Sequence, residues 1–250
     1  MLPSLPDRLP RIGGMATMPS RAHTLHAALD KILPQVDRLF IYLDKFDVIP
    51  SGIAANPKIV PLLPAQIGYF SGAGKFMGLK LNDDPCLYFC FDDDILYPPD
   101  YVERMARALY HHSYRAIVGM HATILNAPHQ SYIQDRHVLH FTKGLAMDCI
   151  VDELGTGTLA FHSQTLHIDP VEWPHYDMCD LLLAIDAVRQ EIPRIAIQRP
   201  INYLQALEED QIDSSWIATK NDDSRHTAIM RKALEDYPFR WCRYANSLEK

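Results

Sequence analysis

The chain has 250 residues, 48% of them hydrophobic and 22% charged. That is enough apolar material for one α/β-sized domain and excludes a disordered, collagen-like or low-complexity chain. Against 24 Lys and Arg stand 31 Asp and Glu, a net charge of −7, which argues against a nucleic-acid partner because that binding needs a positive field. Phosphate can still be held locally by a metal ion and a few placed cations. Cys86, Cys90, Cys149, Cys179 and Cys242 form no C-x-x-C pair and read as free thiols of a reducing compartment. The opening MLPSLPDRLPRIGG lacks the apolar core of a secretory signal. No stretch reaches the roughly 20 apolar residues that span a bilayer. A cytoplasmic protein is expected, with contact at the inner face of a membrane open to it.

In chain order, residues 11–18 (RIGGMATM) predict a first strand that ends at Pro19-Ser20-Arg21. A helix follows, with Leu25, Leu29, Ile32 and Leu33 at helical spacing, Ser20 as its N-cap and Pro34 as its stop. Residues 39–43 (LFIYL) form a second strand closed by Asp44, and residues 58–63 a third. Residues 72–81 predict a helix starting on glycines. Residues 86–91 (CLYFCF) predict a strand buried on both faces, and Asp92-Asp93-Asp94 follows at once. Pro98-Pro99 opens a helix with Val102, Met105, Ala106 and Leu109 on one stripe, and residues 116–120 form a fifth strand. This alternation predicts an α/β fold with a mainly parallel sheet and flanking helices. Residues 121–145 carry four histidines and little periodicity and read as a loop or flap. A strand broken at Gly155-Thr156-Gly157, a helix over 177–189, a short strand at 195–197 and a last helix near 227–234 complete the chain.

The most informative run is FCFDDDILYPPDY. A buried strand delivers three carboxylates to its carboxyl end, where open α/β sheets bind ligands. On an extended chain Asp92 and Asp94 face one side and Asp93 the other. Carboxylates so close repel one another unless a cation sits between them. Oxygen ligands with open positions suit Mg2+ or Mn2+, which then grip a diphosphate. The alternative is a solvated acidic turn capping the next helix.

Here the chain resembles GT-A fold glycosyltransferases of the family 2 type, including those of bacterial surface polysaccharide synthesis. In them a strand ends in a D-x-D motif, matched by Asp92-Asp93-Asp94, with YPPDYV following. Thr17-Met18-Pro19-Ser20-Arg21 matches the T-x-P-x-R element near the donor base and ribose. Asp44 matches the acid after the second strand, and Gly74-Lys75 the Gly-rich stretch with a cation. The resemblance covers about residues 11–200. It implies a single GT-A domain over 1–250, with a nucleotide-sugar half at about 11–120 and an acceptor half at about 121–250. It implies a nucleotide-sugar donor, UDP-linked, held by Thr17, Pro19, Arg21, Asp44, Lys75, Asp92 and Asp93, and an Mn2+ or Mg2+ ion held by Asp92 and Asp94. The acceptor it implies is a glycan or glycolipid. For each residue a plain structural role stays open: a cap or surface ion pair for Arg21, a turn for Asp44, solvation for Lys75.

Gly155-Thr156-Gly157 matches the family's close backbone approach to the donor sugar. The family's base is an acid at a helix start, usually Glu-Asp; here Cys179-Asp180 stands in its place, so the first acid is missing. Asp180 is the candidate general base and Asp177 the competitor, which could be the helix N-cap instead. His226 is the candidate third metal ligand, and Trp173, Tyr176 and Trp216 are candidates to stack on a sugar or to pack in the core. A direct displacement with Asp180 as base inverts the anomeric centre. Two other classes stay open: a sugar-nucleotide nucleotidyltransferase, which usually carries a Gly- and Arg/Lys-rich loop that PSRAHTL lacks, and a non-catalytic carbohydrate-binding protein, which would not need three aspartates at a strand end.

Overall fold

The computed structural model describes residues 8–208 and 211–242, so the first half of the N-terminal stretch read above lies outside the described residues. Strands β1 (Arg11–Thr17), β2 (Arg38–Leu43), β3 (Ile59–Leu62) and β4 (Leu87–Phe91) follow the expected order, then the two-residue β5 (Ile95–Leu96) and β6 (Ile117–Gly119). Beyond them lie β7 (Ala122–Leu125), β8 (Arg136–Leu139), β9 (Cys149–Ile150), β10 (Glu153–Leu154), β11 (Leu159–His162), β12 (Arg194–Ala196) and β13 (Gln205–Ala206). The longer helices are α1 (Ala22–Ile32), α2 (Tyr101–His111), α3 (Cys179–Arg189), α4 (Ser215–Asn221) and α5 (Ser224–Asp236).

The central sheet has eight strands in the order β3-β2-β1-β4-β11-β6-β12-β9. β3, β2, β1 and β4 are mutually parallel. β11 runs antiparallel between β4 and β6, and β12 is parallel to β6. The chain steps outward from β1 through β2 to β3, then returns to lay β4 on the other side of β1. That reversal makes a switch point, and a crevice opens beyond the carboxyl ends of strands there.

Continuous apolar strands need cover on both faces, and both are covered. Leu39, Ile41, Phe89 and Phe91 pack with α1 and α2 in one cluster, while Phe40, Tyr42, Tyr88 and Cys90 pack with α3 and Phe76 in another. Gly14 lets the segment over Ser71–Phe76 lie directly on β1: a Cβ there would sit 2.0 Å from the Lys75 carbonyl. This segment is a 3₁₀ helix followed by a single turn, Met77–Lys80, rather than one regular helix.

Three expectations are corrected. Ser20 is not the cap of α1; Pro19–Arg21 form a 3₁₀ turn, Arg21 holds the cap position without a side-chain cap bond, and the Ser20 hydroxyl donates to Asp213 at 2.6 Å. Residues 121–145 are not loop throughout. Within them β7 and β8 form an antiparallel hairpin that pairs with β10 in a separate three-stranded sheet; β7 is buried throughout and β8 has two exposed and two half-buried residues, so neither shows the period-2 alternation of a half-buried strand. Finally, α4 is an element beyond those expected, its seven residues mixing polar and apolar positions. Among the described residues no helix is long and apolar enough to cross a membrane.

Candidate active site

The carboxyl ends of β1, β2 and β4 open on one cavity of about 860 Å³. Thr17, Arg21, Asp44, Lys75, Asp92, Asp93, Asp94 and Asp180 all line it, so residues spread over more than half the sequence come together. Pro19 does not; it is exposed and sets the turn that carries Arg21 back to the cavity. Asp44 is 3% exposed and its Oδ1 has no hydrogen-bond partner among the described residues. Burial raises its carboxyl above the usual range. The residue lines the cavity with a buried acceptor oxygen that nothing among the described residues satisfies.

β4 ends at Phe91 and the aspartates form a turn. The strand alternation expected for them therefore does not apply, and all three carboxylates line the cavity. Burial pushes Asp93 up to about 6, Asp92 adding to the rise, and the Thr17 hydroxyl with Arg21 and Lys75 opposing it. Burial pushes Asp94 up to about 7, with the Asp92 and Asp93 charges adding to the rise. Lys75 is buried against Asp92 in an ion pair. Burial lowers it, but the Asp92 charge overrides that and holds the ammonium above its ordinary range.

Tyr97, which the sequence reading did not single out, fixes the geometry of this turn. Its buried hydroxyl accepts the Asp92 N–H at 2.8 Å and donates to the Gly157 carbonyl at 2.6 Å. Gly157 is needed for the approach: a Cβ there would lie 1.9 Å from Asp92 Oδ2. The glycine-containing segment thus lies against the aspartate turn.

On the opposite wall, Asp180 in the first turn of α3 accepts the Thr156 N–H at 2.7 Å. Burial raises its carboxyl, while the Thr156 bonds and Lys75 oppose the rise. Asp177 is not the cap of α3; Met178 holds that position, and Asp177 is exposed and paired with Arg225 at 2.7 Å. Beside Asp180 stands Glu153 of β10, 2% exposed, bonded by the Tyr132 hydroxyl through Oε1 and with Oε2 unpartnered among the described residues. Burial and then the Asp180 charge raise it to about 7. Its only sequence signal was the acidic pair Asp152-Glu153 inside CIVDELGT.

The chain returns over the aspartates through β13, which pairs with β5. The Leu207 N–H donates to the Asp94 carbonyl at 2.7 Å, and Gln211 Nε2 reaches Asp94 Oδ2 at 3.4 Å. Asp213 pairs with Arg21 at 2.7 Å, so the surface ion pair considered for Arg21 is present while Arg21 still lines the cavity. His226 stacks on Tyr132, with ring centroids 5.0 Å apart, and the charges acting on it come from Asp177, Arg225, Arg136 and Asp223 rather than from the aspartate turn. Burial lowers it to about 4. Trp173 is in the core, its indole N–H on Asp186 at 2.8 Å, whereas Trp216 is 42% exposed at the cavity.

The aspartate turn suits a divalent cation in one respect: a cation relieves the mutual repulsion that pushes Asp94 up. Among the described residues no third His, Cys, Asp or Glu completes a ligand group. The turn therefore offers carboxylates alone and leaves the other positions to water or a diphosphate, as Mg2+ and Mn2+ accept.

No family model matches the chain, and no curated protein does. Among solved structures it is similar to the crystal structure of GalNAc-T7 with UDP, GalNAc and Mn2+, at 7% identity and a TM-score of 0.56. The match covers 92% of this chain and 48% of that one, so this chain spans about half the length of that protein. At such identity the likeness is one of fold: a mainly parallel α/β sheet of GT-A type.

Proposed function

We propose that the chain is a glycosyltransferase that moves a sugar from a nucleoside diphosphate donor, UDP-linked, to a hydroxyl of a glycan or glycolipid. One observation carries this reading: three carboxylates, a buried charged lysine and a separate carboxylate at a helix start share one cavity at the switch point of a GT-A-type sheet. The fold neighbour, whose structure holds UDP and Mn2+, supports it.

In this reading residues 11–120 form the donor half of a single domain and residues 121–250 the acceptor half. Asp44 accepts from the base, and Thr17 and Arg21 flank the ribose. Asp92 and Asp94 hold the divalent cation, which when bound neutralises charge on the diphosphate leaving group. Lys75 adds a fixed positive charge at the same end of the cavity, in a protein of net charge −7. Asp180, oriented by the Thr156 N–H, takes the proton from the acceptor hydroxyl as it attacks C1 of the sugar, and direct displacement inverts that centre.

A thermal-shift screen with UDP, GDP and CDP, each with and without Mn2+, tests it. Metal-dependent stabilisation by UDP is expected, about 2.7 kcal/mol at a hundred times Kd. Stabilisation only by nucleoside triphosphates would favour a nucleotidyltransferase, and no response to any nucleotide would leave a carbohydrate-binding protein.

A further inference from the structure

Arg136 on β8 lines the cavity on the acceptor side, half-buried. Its guanidinium lies over two rings, 4.7 Å from the Tyr132 centroid and 5.4 Å from that of Trp216. Tyr132 is itself anchored: its backbone N–H donates to Thr227 Oγ1 at 2.9 Å, the neighbouring Ile133 N–H to Asp223 at 2.9 Å, and its ring hydroxyl to Glu153. The two buried cations elsewhere on the cavity wall, Arg21 and Lys75, are each paired with an aspartate. Among the described residues no carboxylate lies within ion-pair distance of Arg136, and Glu153 feels its charge only from further away. The two histidines it acts on do not compete for an anion, since burial lowers His121 to about 3 and His226 to about 4.

A second observation points to the same place. Glu153, on which the Arg136 charge acts, lines the same cavity and has a buried Oε2 that no group among the described residues satisfies. A flat, pinned donor fork without an anion and an orphaned acceptor oxygen are the two halves of a polar subsite.

We propose that Arg136 and Glu153 form an anion-selective acceptor subsite: the acceptor carries a carboxylate or phosphate, which the guanidinium takes bidentately, and a hydroxyl that donates to Glu153. Tyr132 and Trp216 hold the guanidinium plane and so position it. This deepens the transferase reading and rests on it for the word acceptor; the subsite's preference for acidic sugars can be measured apart from it.

The test is a titration of the isotope-labelled protein, followed by NMR, with glucuronate, a hexose phosphate and glucose, with and without UDP and Mn2+. Both acidic sugars, or one of them, should bind about tenfold or more tighter than glucose, and the tighter of the two names the carboxylate or the phosphate as the natural group. Arg136→Gln should abolish the preference at an unchanged thermal midpoint. Arg136→Lys, which keeps the charge but not the fork, should retain part of it and serves if the Gln variant does not fold. Equal affinity for all three sugars overturns the proposal, as does a preference that survives Arg136→Gln. Loss of UDP binding in the wild-type sample would instead sink the transferase reading, while the sugar titration without UDP still decides the subsite.

Discussion

Tyr97 joins the aspartate turn to the glycine segment: its hydroxyl donates to the Gly157 carbonyl at 2.6 Å while accepting the Asp92 N–H at 2.8 Å. Both partners are backbone groups, and Gly157 lies 60 residues beyond Tyr97 in sequence, so this one side chain sets how closely the aspartate turn and the glycine segment approach. Tyr97→Phe leaves a buried N–H and a buried carbonyl without their partner. The expected cost is about 1–3 kcal/mol of unfolding free energy, read by urea denaturation, together with weaker Mn2+–UDP binding. Unchanged nucleotide binding would limit Tyr97 to a structural role.

Gly157→Ala should be far more damaging to the site than its size suggests. The added methyl would fall 1.9 Å from Asp92 Oδ2, so either the segment or the carboxylate must move. Mn2+–UDP affinity should fall by about tenfold or more, or about 1.4 kcal/mol, in calorimetry. Gly52→Ala, where the nearest atom would be 3.8 Å away, is the control and should leave binding intact.

Asp180→Asn keeps shape but cannot take a proton. Turnover should drop by about 10²–10⁴-fold while UDP binding stays near wild type. Asp177→Asn loses only an exposed ion pair with Arg225, worth about 0–1 kcal/mol, and should leave turnover nearly unchanged. Activity of Asp180→Asn within a few-fold of wild type would remove it as the base and favour a retaining route.

Among the groups that set the pH dependence of stability, Glu153 and His121 act in opposite directions. Glu153 has a folded value of about 7, above its ordinary 4.5. Its stabilising contribution is full below about 4.5 and is lost as pH rises through about 7. His121 has a folded value of about 3, below its ordinary 6.5; its contribution is full above about 6.5 and is lost as pH falls toward 3. Between these limits the two slopes offset each other. Glu153→Gln should therefore steepen the rise of stability from pH 4.5 to 6.5, measured by denaturant midpoints across that range. An unchanged profile would mean that Glu153 is not held protonated by its burial beside Asp180.

The sequence by itself determined the parallel half of the sheet and the place of its ligand crevice. LFIYL and LYFCF are continuous apolar runs that only a doubly covered strand can bury, and the residues that close them, Asp44 and Asp92, must then stand at carboxyl ends. Asp180 stood out only through the resemblance, as the acid at a helix start, and it does lie in the first turn of α3. The tertiary structure alone decided the rest, because those features depend on contacts between distant segments. The aspartates share one cavity because β4 stops at Phe91 and the chain turns, which cancels strand alternation. β7 and β8 are stable only as a hairpin laid on β10, and β13 has two residues that mean nothing until they meet β5. Glu153, Arg136 and Tyr97 each look ordinary in sequence. Their chemistry comes from what surrounds them among the described residues: burial without a partner for Glu153 Oε2, two rings and no carboxylate at ion-pair distance for Arg136, and two backbone groups within reach of one hydroxyl for Tyr97.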